Sequence, residues 1–176
     1  MRWNYTSQFA VEVQFEDIDG GGVVHHPNYL KYLERARCQA MREIGVPFEQ
    51  CLKDGVAFVV AELNSKYLRP LQFGQRVFVL TRLVALRKSS LKVFQKIISE
   101  PPTKELLDGH QDFFSTAGRA CFFAQLRLVA VNLNDARPIN LPDNLRSAAG
   151  CPAADLLAEQ TQLTDVRLLP FSQENG

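Results

Sequence analysis

Phe9, Val11, Val13 and Phe15 alternate with Ala10, Glu12 and Gln14 near the start of the chain. A period of two marks a strand with one buried face, so a half-buried strand is predicted here. The alternation breaks at Asp17-Ile18-Asp19-Gly20-Gly21-Gly22, where three glycines predict a loop in tight backbone conformations. The period then changes. Tyr29, Leu33, Ala36, Ala40 and Ile44, with Leu30 and Met41 beside them, recur at intervals of three and four, while Lys31, Glu34, Arg35, Arg42 and Glu43 take other positions. That spacing predicts an amphipathic helix. Pro27 suits its first position, where a missing N–H leaves no bond unmade, and Gly45 suits its C-terminal stop. Pro47 to Asp54 is expected to add a short second helix.

Beyond Gly55 the chain reads as strands. Val56 to Leu63 is apolar and β-branched, and Lys66-Tyr67-Leu68-Arg69 extends it to Pro70. Arg76 to Leu86 is a second long strand of this run, with Val77, Val79, Thr81 and Leu83 on one face; Leu91 to Ile98 is a third and Ala120 to Leu133 a fourth. Arg87-Lys88-Ser89-Ser90 is short enough for a hairpin connection. Glu100 to Gly118, with its Pro-Pro and Asp-Gly pairs, is expected to be a long surface loop or an extended hairpin tip. From Pro142 onward strand character fades, Ala153 to Glu159 has room for one or two helical turns, and the tail to Gly176 is expected to be a loosely attached appendage.

Strand, central helix, then a run of long strands is the order of an α+β fold, with an antiparallel sheet wrapped around one long helix. One sheet face should pack on the helix, and the other must meet solvent or a second subunit. The expected division is a domain over residues 1–142, with an inserted loop at about 100–118, and a C-terminal extension over 143–176.

Composition adds limits. A chain of 176 residues fits one domain with a real core. A formal net charge of +1 argues against a dedicated nucleic-acid binder, which concentrates basic charge on one face. Cys38, Cys51, Cys121 and Cys151 form no C-x-x-C pair, so each is read as a lone buried thiol. Met1 to Phe9 lacks the apolar core of a signal peptide, and no apolar stretch approaches the roughly 20 residues of a membrane span. The expected setting is the cytoplasm.

The candidate chemistry lies in Phe15 to Tyr29. Asp17 and Asp19 precede the glycine loop, and the helix starts just after it. A helix N-terminus presents unpaired N–H groups and the positive end of the dipole, which can stabilise an oxyanion formed from a carbonyl. A carboxylate held nearby can attack that carbonyl or activate a water to do so. Asp-x-Asp-Gly is equally ordinary turn chemistry, and on these residues alone the turn is the simpler reading. Calcium fits poorly, because the later Glu of an EF-hand loop is missing. His25 and His26 are adjacent, so they do not easily share an ion, no third ligand is visible, and His110 sits in the polar loop. No metal and no cofactor is expected.

The pattern D-x-D-x-x-G-V-V-x-H-x-x-Y, carried here by Asp17, Asp19, Gly22, Val23, Val24, His26 and Tyr29, and the Glu34-Arg35-Ala36-Arg37 that follows, resembles the 4-hydroxybenzoyl-CoA thioesterase family. It is most similar to the acyl-CoA thioesterases encoded beside the bacterial Tol–Pal envelope system. The likeness continues through Val56-Ala57-Phe58-Val59-Val60, Tyr67-Leu68-Arg69-Pro70 and Arg87-Lys88-Ser89-Ser90, over about Gln8 to Leu141. The departure is Gly20-Gly21-Gly22, where relatives more often carry Ala or Pro before the last Gly.

This resemblance implies the hot-dog fold, a homodimer or homotetramer, and hydrolysis of an acyl-CoA to a carboxylic acid and CoA. It implies that Asp19 is the nucleophile or general base, that a backbone N–H in the region of His26 is the oxyanion donor, and that Asp17 fixes the loop. The His26 side chain would orient substrate or water, and His25 would be a wall or surface residue. Arg87, Lys88 and Ser89 would contact the CoA phosphates. An acyl carrier protein thioester is an alternative donor. Two rival functions remain open: a dehydratase or hydratase on the same fold, whose catalytic His belongs to a different motif, and a non-catalytic acyl-CoA or acyl-carrier-protein binding module. Phe58, Phe73, Phe94, Phe122 and Phe123 suggest an apolar acyl lining, which core packing explains equally well.

Overall fold

One long helix lies against a sheet because each has an apolar face that the other covers. The computed structural model describes residues 6–108, 113 and 119–148. Its elements are β1 (Ser7–Glu12), a 3-10 turn (Phe15–Asp17), α1 (Asn28–Glu43), α2 (Phe48–Lys53), β2 (Val56–Tyr67), β3 (Arg76–Leu86), β4 (Ser90–Ile98), α3 (Lys104–Leu107), β5 (Ala120–Asn132) and α4 (Asp143–Ala148). The strands form one antiparallel sheet in the order β1-β3-β4-β5-β2. This is the α+β arrangement expected from the sequence.

The helix face of the sheet supplies Val11, Val13, Val77, Val79, Ile97, Phe122, Ala124 and Leu126, and α1 answers with Tyr29, Tyr32, Leu33 and Ala36. The burial removes apolar surface from water, the main favourable contribution to folding. One polar group interrupts this contact. Gln95 of β4 is fully buried; its Nε2 donates to the Leu33 carbonyl at 2.9 Å and to Thr81 Oγ1 at 2.8 Å, and its Oε1 accepts from Arg37 Nη1 at 2.9 Å. Every hydrogen-bonding hydrogen of the Gln95 amide has a partner, so the group is affordable inside and ties helix to sheet in one register. The helix ends where Gly45 adopts φ +78°, a left-handed conformation that a side chain would strain.

A second cluster closes the other end of the sheet. Met41, Val46, Cys51, Leu86, Leu91, Leu128, Leu141 and Leu145 pack there. Leu145 belongs to α4, within the segment expected as a C-terminal extension, and it is fully buried. Ala153 to Glu159, the tail to Gly176, Cys151 and His110 lie outside the described residues.

Three expectations need correction. The first strand stops at Glu12, and Phe15 is 79% exposed in the 3-10 turn. Its alternation with Val13 fails because the chain leaves the sheet at Gln14, whose N–H is captured by Asp17 Oδ2 at 3.0 Å. On α1, Ala40 and Ile44 are only half-buried, while Tyr32 and Arg37 are buried. The segment from Glu100 to Gly118 is not simply a surface loop. Its Leu106 and Phe113 are buried on the outer sheet face over Phe78, Leu80, Phe94, Ile98 and Phe123. The Phe113 ring lies 4.8 Å from the Arg82 guanidinium carbon and 5.3 Å from Lys96 Nζ, an attraction that favours the ring over two cations on an otherwise apolar face. An uncovered apolar sheet face supplies the reason: Leu106 and Phe113 of this segment cover it.

Phe122→Ala should destabilise the protein by about 3–5 kcal/mol in denaturant unfolding, whereas Phe15→Ala should change it by less than about 0.5 kcal/mol. A comparable loss in both would mean that Phe15 is packed in solution.

Candidate active site at the start of the central helix

Asp19 sits on a small hairpin that folds back against the entry to α1. Asp19 N–H donates to the Val23 carbonyl at 2.9 Å, Ile18 bridges Val24, and His25 N–H donates to the Asp17 carbonyl at 2.8 Å. These pairs form a short antiparallel ladder that closes at Asp19–Val23. Gly22 N–H returns to the Asp19 carbonyl at 3.0 Å with Gly22 at φ +77°, a position where only glycine is unstrained. Gly21 N–H donates to Asp19 Oδ1 at 2.8 Å, and a Cβ on Gly21 would lie 3.1 Å from that oxygen. Gly20 has open space around it. Of the three glycines, one is required by conformation and one by close approach.

The hairpin is clamped to its surroundings. Val24 N–H donates to the Leu71 carbonyl at 2.8 Å, and Val23 bridges Gln72. Tyr29 Oη accepts from Leu71 N–H at 3.1 Å. Burial pushes the Tyr29 hydroxyl up to about 12, and the Asp19 carboxylate nearby acts in the same direction. Tyr29, Tyr67 and Phe122 stack edge to face or tilted, with centroids 4.8 to 5.2 Å apart. They make a rigid aromatic floor beneath the start of the helix.

Asp19 and His26 are both solvent-exposed at this end of the sheet. Among the described residues no group accepts a hydrogen bond from His26 N–H, while the N–H groups on either side, of His25 and Asn28, are engaged at 2.8 and 2.9 Å. The His26 carbonyl accepts from Tyr67 Oη at 3.1 Å. The His25 and His26 rings are 4.8 Å apart, edge to face. Among the described residues, no three His, Cys, Asp or Glu side chains cluster as metal ligands would.

The structure does not bring all the expected site residues together. Arg87 and Lys88 are exposed and Ser89 is half-buried at the β3–β4 turn, as the hairpin expectation required. That turn lies at the opposite end of the sheet from Asp19. Tyr67, beside His26, pairs with Phe122, whereas Ser90 pairs with Val129, seven residues further along β5 and roughly 23 Å away at the rise of a strand. The five phenylalanines do not form one lining either. Phe122 is in the helix-side core, Phe94 and Phe123 cluster with Leu106 and Phe113, Phe58 packs on Phe48, and Phe73 is 62% exposed.

Sequence reasoning missed Tyr67 and Arg146. Tyr67 reads as one more strand residue, and only the tertiary fold carries its hydroxyl to the helix start. Arg146 of α4 donates from Nη2 to the carbonyls of Arg87 and Lys88, both at 2.8 Å, and so adds a third cation to that turn.

A family model described as the thioesterase superfamily matches residues 21–106, from the glycine turn through β4 to α3. The acyl-CoA thioester hydrolase YbgC of Escherichia coli is 31% identical over 96 residues, which are 54% of this chain and 72% of that protein. The acyl-CoA thioesterase YbgC of Helicobacter pylori is 39% identical over 85 residues, 48% of this chain and 62% of that protein. Among solved structures, a 1,4-dihydroxy-2-naphthoyl-CoA thioesterase from Synechocystis matches with a TM-score of 0.67, covering 82% of this chain and 96% of its own, at 16% identity. That last likeness is one of fold.

Gly22→Ala should cost about 1–2 kcal/mol, because it forces a side chain into the left-handed region. Gly20→Ala should stay within about 0.5 kcal/mol of the parent. Urea unfolding of the two variants side by side checks the assignment of the glycines, and equal losses would refute it.

Proposed function

Because this chain belongs to the thioesterase superfamily and is a hot-dog-fold thioester hydrolase of the acyl-CoA type, we propose that Asp19 and the backbone N–H of His26, just before α1, carry out the hydrolysis. Acyl-CoA and water give a carboxylic acid and the CoA thiol. The observation that carries the assignment is the exposed Asp19 carboxylate, held by Gly21 N–H through one oxygen, at the end of the fold where no described residue accepts from His26 N–H.

Oδ1 is occupied by the Gly21 N–H, and Oδ2 is the oxygen that works. The thioester carbonyl oxygen accepts from His26 N–H, where the helix dipole favours the negative charge that develops. Oδ2 then attacks the carbonyl carbon, giving an acid anhydride and expelling the thiolate, after which water cleaves the anhydride. The same oxygen can instead take a proton from the water that attacks. A single turnover in 18O-water tests the first route: label in the Asp19 carboxylate requires an anhydride that water cleaves at the Asp19 carbonyl.

The separation of Arg87, Lys88 and Ser89 from Asp19 favours a homodimer. β2 is an edge strand of 12 residues on which Val59, Val60, Leu63 and Tyr67 are 40–49% exposed. An open edge of this length with apolar side chains is a template for another strand. Antiparallel pairing of two copies about a dyad sets the Tyr67 end of one β2 beside the Val56 end of the other. The turn of Arg87 and Lys88 of the partner subunit then approaches Asp19 and can pair with CoA phosphates. The insertion already covers part of the outer sheet face, so this reading stops at the dimer rather than a tetramer stacked through that face. Thiols at Cys38, Cys51 and Cys121 are free and suit a reducing compartment such as the cytoplasm.

Thiol release from a panel of acetyl- to palmitoyl-CoA and benzoyl-CoA, with acyl carrier protein thioesters alongside, tests the reading. Asp19→Asn should lower kcat by about 10²–10⁴-fold; wild-type-like turnover in that variant would overturn the assignment. Arg87→Ala with Lys88→Ala should raise KM by about tenfold or more with kcat little changed. Leu63→Arg should give monomers by sedimentation and lose activity with them, and a fully active monomer would sink the shared site.

A further inference from the structure

The proposed reacting carboxylate sits on a glycine turn, and the proposed oxyanion donor, His26 N–H, sits two residues before α1. Something must hold one against the other. We propose that Asn28 and Tyr32 are positioning residues that fix Asp19 relative to the start of α1 by gripping Asp17. The proposal rests on the assignment of Asp19 as the reacting group.

Asn28 is the first residue of α1 and is 7% exposed. Its side chain does not cap its own helix. Nδ2 reaches across to the Asp17 carbonyl at 3.1 Å, the same oxygen that accepts His25 N–H at 2.8 Å. A carbonyl can only accept, so the amide nitrogen must face it. The helix therefore holds the hairpin two residues before Asp19, at a bond that closes the base of the ladder. Without it, the Asp17 carbonyl keeps only its backbone hydrogen bond from His25, and the helix loses this direct hold on the base of the ladder.

Tyr32 lies one turn further along the same helix face. It is 1% exposed, and its hydroxyl has no hydrogen-bond partner among the described residues. Burial first, and the Asp17 carboxylate second, push that hydroxyl up. The group is a buried, unpartnered donor on the helix face that carries Asn28, and the Asp17 carboxylate that acts on it already accepts Gln14 N–H. A buried donor that makes no bond costs free energy. A small closing movement of the hairpin gives it Asp17 as acceptor. Asp17 is then held by its carbonyl from Asn28 and by its carboxylate from Tyr32, and the turn carrying Asp19 has no freedom to swing away from the helix.

The purely structural alternative makes a different prediction at Tyr32. Removing an unpartnered buried hydroxyl should leave activity unchanged and stability the same or better. In the positioning role Tyr32→Phe lowers kcat although the protein is no less stable. The experiment measures kcat and KM on an acyl-CoA for Asn28→Ala, Tyr32→Phe, Asp19→Asn and the double variants with Asp19→Asn, at a temperature where thermal melts confirm that each is folded. Expected are kcat losses of about ten- to a hundredfold in Asn28→Ala and smaller but clear losses in Tyr32→Phe, with KM unchanged. On the Asp19→Asn background neither substitution should reduce the residual rate further, because both act through Asp19.

An active Asp19→Asn would defeat the underlying assignment. An inactive Asp19→Asn with wild-type kcat in both other variants would defeat this proposal alone. Wild-type kcat in one of them removes that residue from the role. Additive losses on the Asp19→Asn background, or a rise in KM alone, would likewise overturn it.

Discussion

Everything in this molecule hangs on the burial of one helix face. α1 has a stripe of Tyr29, Tyr32, Leu33 and Ala36 to hide, and among the described residues the sheet is the surface that takes it. Once that contact forms, the helix N-terminus has one place to go, the rim beside β1 and the turn before β3. The chain must enter α1 there, so the loop that precedes it folds at the same rim. The position of the site is thus a by-product of core packing. Gln95 sharpens this. Its three hydrogen bonds to Leu33, Thr81 and Arg37 are met only in one register, so a shift of the helix along the sheet would orphan buried polar atoms.

Much of this was legible in the sequence, for identifiable reasons. Strands of nine to thirteen residues and a helix of sixteen carry long periodic signals, and their ends are marked by Gly45, Gly55 and Gly74, all at positive φ. The places where reading failed are those where a local pattern meets a distant surface. Phe15 continues an alternation that the backbone abandons. Leu106 and Phe113 look like loop residues until the outer sheet face appears beneath them. Arg37 is a charged residue on a helix, and nothing local announces that Gln95 waits inside for it.

The site shows the same division. Asp19, the glycines and His26 lie within eight residues of one another, so the sequence could propose them as a unit. The basic turn at Arg87 and Lys88 could be recognised as a group but not located. Its distance from Asp19 is set by how far β3 and β4 run before they turn, and that is a property of the sheet. Tyr67 is the clearest omission. It belongs to the exposed edge strand and also holds the His26 carbonyl, so the proposed subunit contact and the proposed oxyanion donor share a side chain.

The Gly21 hydrogen bond to Asp19 makes the two oxygens of one carboxylate unlike each other. A free aspartate flips about its last bond and presents either oxygen indifferently. Here one oxygen is moored, and no described residue donates to the other. In the reaction proposed for Asp19, the rotational entropy that a mobile side chain would surrender at every turnover is surrendered once, when the chain folds. A turn made of the most flexible residue in the repertoire is what makes this possible, since only a backbone without a side chain can come close enough to hold the carboxylate still.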